Sequence, residues 1–290
     1  MKIGLTSMNA GSLCDPALAR RIAQLAEELG YDSLWTAEHV VMADPSPRMS
    51  PTMRLLDPLM ALTFFAACTK QVELATGVLI LPQRQPVVLA KELTTLDILS
   101  GGRFMFGIGV GWQEAEMNAC GAHMDERGAR ADEYLGAMQA LWNMDKPEFH
   151  GTFVDFGGVN AYPRPVQPGG PRLVMGGYAP ATYRRTIQLA HGWFGFNRTL
   201  DQTQETLAAL AALRTRVQRP SSLPKDIEIT IAPPQPIDPA GVQAYAGLGV
   251  HRLVLRPPDG SAAEIEDFVR AHAPAELGAQ MNPLPLRQEG

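Results

Sequence analysis

The chain has 290 residues, 46% hydrophobic and 19% charged, with 25 basic against 30 acidic side chains for a net charge of −5. That balance is globular rather than disordered, and without a basic block nucleic acid is not an expected partner. No run of about 18 apolar residues occurs, so no membrane span is expected, and the opening MKIGLTSMNAG lacks the apolar core of a secretory signal. Cys14, Cys68 and Cys120 have neither CxxC nor Cys/His ligand spacing, which fits thiols in a reducing compartment and a cytoplasmic location.

Strand-like and helix-like runs alternate along the chain. Residues 2–6 read as a short apolar strand. Asp15 then offers an N-cap and Pro16 a first helical position, with Leu18, Ile22, Leu25, Ala26 and Leu29 at helical spacing and Gly30 as terminator. Residues 33–36 form a second strand, and a loop rich in Pro and Met over 44–58 leads to a helix over 59–69. The third strand spans 72–79. Gly77 interrupts its apolar stretch LATGVLILP, where glycine weakens a strand and marks a bulge or a close backbone approach. A helix over 86–99 opens on proline and closes at Gly101 and Gly102. A strand over 103–108, a glycine-rich turn and a helix over 129–142 follow. Residues 144–171 are irregular, with 149–156 fitting a small hairpin. Strands over 172–176, 192–196, 226–231 and 251–255 then alternate with helices over 180–190, 203–217, 239–248 and 262–273.

Eight strand–helix pairs in this order predict a parallel sheet with helical crossovers, and at this length a single (β/α)8 TIM barrel over residues 1–290. A doubly wound open sheet is the alternative. Residues 144–171 are an insertion after the fourth helix, and 274–290 a C-terminal extension. In such a barrel chemistry sits at the C-terminal ends of the strands, near His39, Gly77, Gly109, Gly176 and Asn197 and just after Leu255.

Three of these positions carry distinctive residue types. Glu38 and His39 leave the second strand, and a histidine there can exchange a proton near neutral pH. GIGVGW, residues 107–112, brings glycine to alternate positions, which lets backbone approach a bulky ligand, but it lacks the GxGxxG spacing of a dinucleotide site. VMGGYAP places two glycines before a helix start, where free N–H groups suit an anion. No GxSxG or HExxH occurs. His39, His123, His150, His191, His251 and His272 form no pair at metal-ligand spacing, so no metal is expected. Arg127 and Arg130, in a charged helix entry, read as loop ties. Met42, Met49 and Met53 fit either an apolar substrate pocket or adaptable loop packing.

In order, LAEELGYDSLWTAEH, VELATGVLILPQRQPVVLAKELTTLDILSGGRFMFGIGVGW, ERGARADEYL, FHGTFVDF, YPRPVQPGGPRLVMGG and HGWF resemble the bacterial luciferase-like monooxygenase superfamily, most closely its branch of coenzyme F420-dependent oxidoreductases. The resemblance covers about residues 1–200. It implies a TIM barrel with the cofactor's tricyclic ring across its mouth, backed by a third-strand bulge with a non-prolyl cis peptide at Thr76, Gly77 and Val78. It places His39 beside the deazaflavin as proton donor or orienting group, supported by Glu38. It turns Gly107, Gly109, Val110, Gly111 and Trp112, with Gly176, Gly177 and Tyr178, toward the ribityl chain and phosphate. Two departures stand out. Glu38 replaces an Asp found in several members. Trp112 stands where sugar-phosphate dehydrogenases of the branch carry a catalytic Glu, so an acid partner is missing there and a sugar-phosphate substrate is disfavoured. No strong Lys/Arg cluster marks a site for the F420 polyglutamate tail; Arg84, Arg184 and Arg185 are its candidates.

The resemblance therefore implies an F420-dependent oxidoreductase acting on a small-molecule substrate. An FMN-dependent monooxygenase using O2 is the first alternative and a non-catalytic flavin-binding barrel the second. A homodimer is also expected, because the family often dimerises through barrel helices.

Overall fold

Eight parallel staves close into a ring in the computed structural model, which describes residues 1–46 and 48–279. In chain order the elements are β1 (Lys2–Leu5), α1 (Pro16–Glu28), β2 (Ser33–Thr36), α2 (Pro58–Cys68), β3 (Glu73–Thr76), β4 (Leu79–Ile80), α3 (Pro86–Leu99), β5 (Phe104–Gly109), α4 (Glu114–Ala119) and α5 (Arg127–Asn143). They continue with β6 (Phe149–His150), β7 (Asp155–Phe156), β8 (Arg172–Gly176), α6 (Pro180–Leu189), β9 (Gly192–Phe196), α7 (Leu200–Arg214), β10 (Glu228–Ala232), α8 (Pro239–Gly247), β11 (Arg252–Leu255) and α9 (Ala262–Ala271). β3 and β4 share the third stave. Pairing of β1 with β11, from Lys2 opposite Arg252 to Leu5 opposite Leu255, closes the ring and excludes the open sheet. The fold is the (β/α)8 barrel.

Proline opens α1, α2, α3, α6 and α8, where its missing N–H costs nothing and its fixed φ suits the first turn. Asp15 caps α1 by accepting from Leu18 N, and Asp57 caps α2 from Leu59 N and Met60 N. α7 begins three residues before the expected 203, because Thr199 and Gln202 form a reciprocal capping box. α4 was not expected from the sequence. In the insertion, β6 and β7 pair antiparallel as the expected hairpin. Of the expected extension, Leu277 and Ala279 are buried against the core, and 280–290 lie outside the described residues.

The barrel interior is layered. Its floor is ionic. Arg252, wholly buried, donates from Nε to Asp32 Oδ1 (2.5 Å), from one terminal nitrogen to Glu73 Oε2 (2.6 Å) and from the other to Glu228. Arg172 pairs with Glu73, and Lys2 Nζ lies 3.5 Å from Glu228. Above the floor Trp35, Ala75, Met105, Val174, Phe194, Ala232 and Val254 fill the middle, with Trp35 and Phe194 stacked at 5.2 Å. Val78 packs on this layer and is partly exposed at the mouth. No helix among the described residues is long and apolar enough to cross a membrane.

Removing Arg252 leaves three carboxylates converging without their central cation. Arg252→Ala is expected to cost about 3–5 kcal/mol in denaturant unfolding. A loss below about 1 kcal/mol, an ordinary surface effect, would show that Lys2 and Arg172 hold the floor alone.

Candidate active site

The loop leaving β2 carries His39 at the mouth, and four polar side chains from elsewhere hold it. Asn9, wholly buried, donates to Ala37 O (2.8 Å) and Leu56 O (2.6 Å) and accepts from Ala37 N (3.0 Å). Glu38 accepts from Ile80 N (2.5 Å) and Arg84 Nε (2.8 Å), and Arg84 reaches on to Asp57 (2.6 Å). Burial pushes the Glu38 carboxyl above its ordinary pKa, with Arg84 and the Ile80 N–H pulling the other way. Glu116, 1% exposed, accepts from Val40 N (2.6 Å) and lies 2.7 Å from His39 Nδ1. Gln113 accepts from Ala43 N.

This geometry departs from the expected pairing of Glu38 with His39. Glu38 is spent on tying the exit of β2 to β4 and to Arg84 ahead of α3, and the acid against His39 is Glu116 of α4. A carboxylate against His39 thus stands four residues beyond Trp112. A carboxylate only accepts, so His39 Nδ1–H donates to it, and neutral His39 carries its lone pair on Nε2. Trp112 stands edge-on to the His39 ring at 5.7 Å, and the Arg48 guanidinium lies 4.8 Å over the indole. His39, Val40, Val41, Met42, Pro51, Met53 and Leu55 line a cavity of about 260 Å³. Met42 and Met53 are therefore pocket residues, and Met49 is not among its lining.

The third stave breaks where Gly77 sits. Leu74 faces Phe104 and Ala75 faces Met105, but Leu79 faces Ile108, so this stave holds one residue more than β5 across the break. That is a β-bulge. The Gly77–Val78 peptide is cis, at the position the resemblance marks. Thr76 mends the ladder with its side chain: Oγ1 donates to Gly107 O (2.6 Å) and accepts from Gly107 N (2.9 Å).

Burial divides the expected cofactor residues. Thr76, Gly77, Gly107 and Gly109 are buried, while Val78, Val110, Gly111, Trp112, Gly176 and Gly177 are half-buried and Tyr178 is exposed. The glycines also serve packing. A Cβ on Gly107 would stand 1.8 Å from Thr76 O, and one on Gly109 or Gly176 would stand 2.8 or 2.6 Å from a Val78 methyl. The close approach read from Gly107 and Gly109 is taken up by the bulge itself, and so is the space at Gly176. Gly111 (φ +82°) and Gly177 (φ +126°) hold backbone that other residues rarely adopt. Of the candidate tail-binding arginines, Arg84 is paired as above and Arg185 with Asp132 (2.6 Å), while Arg184 is exposed.

The model of the luciferase-like monooxygenase family matches residues 4–276, and the chain belongs to that family of oxidoreductases and monooxygenases. An uncharacterized protein of Mycobacterium tuberculosis is 31% identical over 280 residues, 93% of this chain and 96% of that one. The F420-dependent glucose-6-phosphate dehydrogenase of Kineococcus radiotolerans is 28% identical over 277 residues, 94% of this chain and 77% of that one. The FMNH(2)-dependent dimethylsulfone monooxygenase of Pseudomonas putida is 26% identical over 178 residues, 60% of this chain and 47% of that one. The solved structure of monooxygenase RslO1 from Streptomyces bottropensis shares the fold at a TM-score of 0.78 and 23% identity, covering 94% of this chain and 98% of that one.

Two outcomes test the geometry without a substrate. Gly176→Ala should destabilise by about 1–3 kcal/mol through overpacking, and adding Val78→Ala should restore most of it; no rescue would detach Gly176 from Val78. Glu116→Gln offers His39 an amide donor, so ¹⁵N NMR should show the ring proton moving from Nδ1 to Nε2. An unchanged tautomer would mean that Glu116 does not set it.

Proposed function

We propose that this protein is a coenzyme F420-dependent oxidoreductase that moves a hydride between the deazaflavin and a small organic substrate. The observation that carries the reading is the third-stave bulge, which presents Val78 at the mouth of the same barrel that holds the His39–Glu116 pair. F420 and FMN share a flat tricycle, a ribityl chain and a phosphate, to which F420 adds its polyglutamate tail, and the residues present fit the shared part. Val78 offers an apolar surface to the ring. The amino end of α6 has no side-chain cap at Ala179; Pro180 carries no N–H, and Thr182 N and Tyr183 N donate to Ala179 O, so the Ala181 N–H is what this first turn would offer a phosphate. Val110, Gly111, Gly177 and Tyr178 would lie along the chain between them. The likeness to an F420-dependent relative runs over nearly the whole chain, whereas that to the FMNH(2)-dependent one covers less, which favours the deazaflavin.

Bound F420 supplies the ring carbon that carries the hydride. The protein's own residues do the rest. Glu116 fixes the His39 ring through Nδ1, and Nε2 gives or takes the proton that balances hydride transfer at the substrate. Trp112 walls the His39 ring, and the cavity lined by His39, Met42 and Met53 takes part of the substrate. FMN with O2 is the second reading, because the same surfaces suit an isoalloxazine.

Side-by-side fluorescence titrations should give F420 an affinity at least about tenfold above that of FMN, a difference of about 1.4 kcal/mol. His39→Ala should then cut turnover by about 10²-fold or more at unchanged F420 affinity. Tighter binding of FMN, with oxygen uptake on turnover, would replace this reading with the monooxygenase.

A further inference from the structure

Two arginines at the mouth lie outside the roles assigned so far. Arg198 follows β9 and Arg256 follows β11, the strands on either side of β10 in the sheet. Each guanidinium rests on an aromatic ring, Arg198 over Tyr178 at 4.2 Å and Arg256 over Phe196 at 4.7 Å. The two rings are tied together: Phe196 N donates to Tyr178 Oη (2.9 Å), and Tyr178 Oη donates to Phe196 O (2.5 Å). Tyr245 Oη donates to Arg198 O (2.7 Å) and fixes the backbone beneath one of them. The cations are therefore held at the chemical end of the barrel on one platform.

Their charges are not matched. Among the described residues neither guanidinium has an ion pair, whereas Arg84, Arg172 and Arg252 within the barrel each have at least one. Arg198 donates only to Thr206 Oγ1 (3.1 Å), and its Nε is buried without a hydrogen-bond partner. Arg256 donates to Asn197 Oδ1 at 3.4 Å. Asp259, the acid in the Arg256 loop, is turned away and accepts from Ser12 N and Oγ (both 2.9 Å). An aromatic face attracts a cation but does not neutralise it, so two neighbouring guanidiniums still lack a counter-charge. Each retains N–H donors in the fork geometry that suits a carboxylate or phosphate.

We propose that Arg198 and Arg256, on the Tyr178–Phe196 platform, form a subsite for an oxyanion, a carboxylate or phosphate carried by the substrate or by the side chain of the cofactor. The site's place in turnover rests on the function proposed above; its affinity for an anion does not.

The test uses the full chain with Arg198→Met and Arg256→Met, which keep the side chain over the ring and remove the charge, and Arg256→Lys as the conservative variant. Calorimetric titration with inorganic phosphate in a zwitterionic buffer should show binding to wild type. Binding should weaken at least about tenfold in each Met variant, with partial recovery in Arg256→Lys. If Arg198→Met unfolds, Arg256→Met carries the test alone. A second arm compares FMN with riboflavin, and F420 with its phosphate-free riboside. Selective loss of the phosphorylated forms in the Met variants assigns the subsite to the cofactor. Unchanged cofactor affinity, with phosphate still binding cofactor-loaded wild type but not the variants, assigns it to the substrate. Phosphate binding and cofactor affinity that match wild type in the Met variants would overturn the proposal. A chain that binds neither F420 nor FMN, yet binds phosphate through these arginines, would remove the proposed function and leave the subsite standing.

Discussion

The mouth of this barrel is shaped by the fit of one side chain, Val78, into gaps that two neighbouring staves leave for it. Its methyls occupy the space where Gly109 and Gly176 would carry a Cβ, at separations of 2.8 and 2.6 Å that no real Cβ could share. A stave with one extra residue must push something inward or outward. Here it pushes Val78 inward onto the Trp35–Phe194 layer, and β5 and β8 yield by having no side chains there. Thr76 closes the gap in the ladder by bonding both polar groups of Gly107, so the bulge leaves neither of them unsatisfied. The bulge, the glycines and the threonine are one arrangement, and the apolar surface of Val78 at the mouth is its result.

The same accounting of backbone polar groups explains the loop beside it. Residues 37–43 leave β2 without regular structure, so their N–H groups need partners from outside. Asn9 serves Ala37, Glu116 serves Val40, and Gln113 serves Ala43. Glu116 uses its second oxygen on His39, so the contact that orders the loop also fixes the imidazole. The order of the loop and the placement of the imidazole are thus coupled through one buried carboxylate. α4, only one and a half turns long, exists in the fold to deliver it.

The sequence made some of this legible. Alternation of strand and helix, the proline openings and the count of staves led to the closed barrel because each signal is local and repeats around the ring. Gly77 was legible as a bulge because a glycine amid Val, Leu and Ile weakens the strand for no gain unless the backbone must bend or be closely approached there. What the glycines were for was not legible: a missing side chain shows that something comes close, not whether it is a ligand or a neighbour. Glu116 was missed for another reason. α4 is short, its first residue has no side-chain cap, and the partner of Glu116 lies 77 positions away across the barrel mouth. Glu38, adjacent to His39, drew attention by proximity in sequence, but consecutive residues on an extended exit point to opposite sides. Its side chain turns into the wall between β4 and α3 while His39 turns to the cavity.

Charge separates the two ends of the barrel in kind. At the floor three carboxylates converge on Arg252, with Lys2 and Arg172 beside them, and every group meets an opposite charge inside the protein. Burying ions this way contributes little net stability over an apolar plug, but it makes each member expensive to remove and fixes the register of the strands that carry them. At the mouth the cations Arg198 and Arg256 rest on aromatic rings and, among the described residues, meet no carboxylate. The two ends differ in that the floor's charges are matched within the chain, whereas at the mouth the proposed oxyanion would supply the counter-charge that Arg198 and Arg256 lack among the described residues.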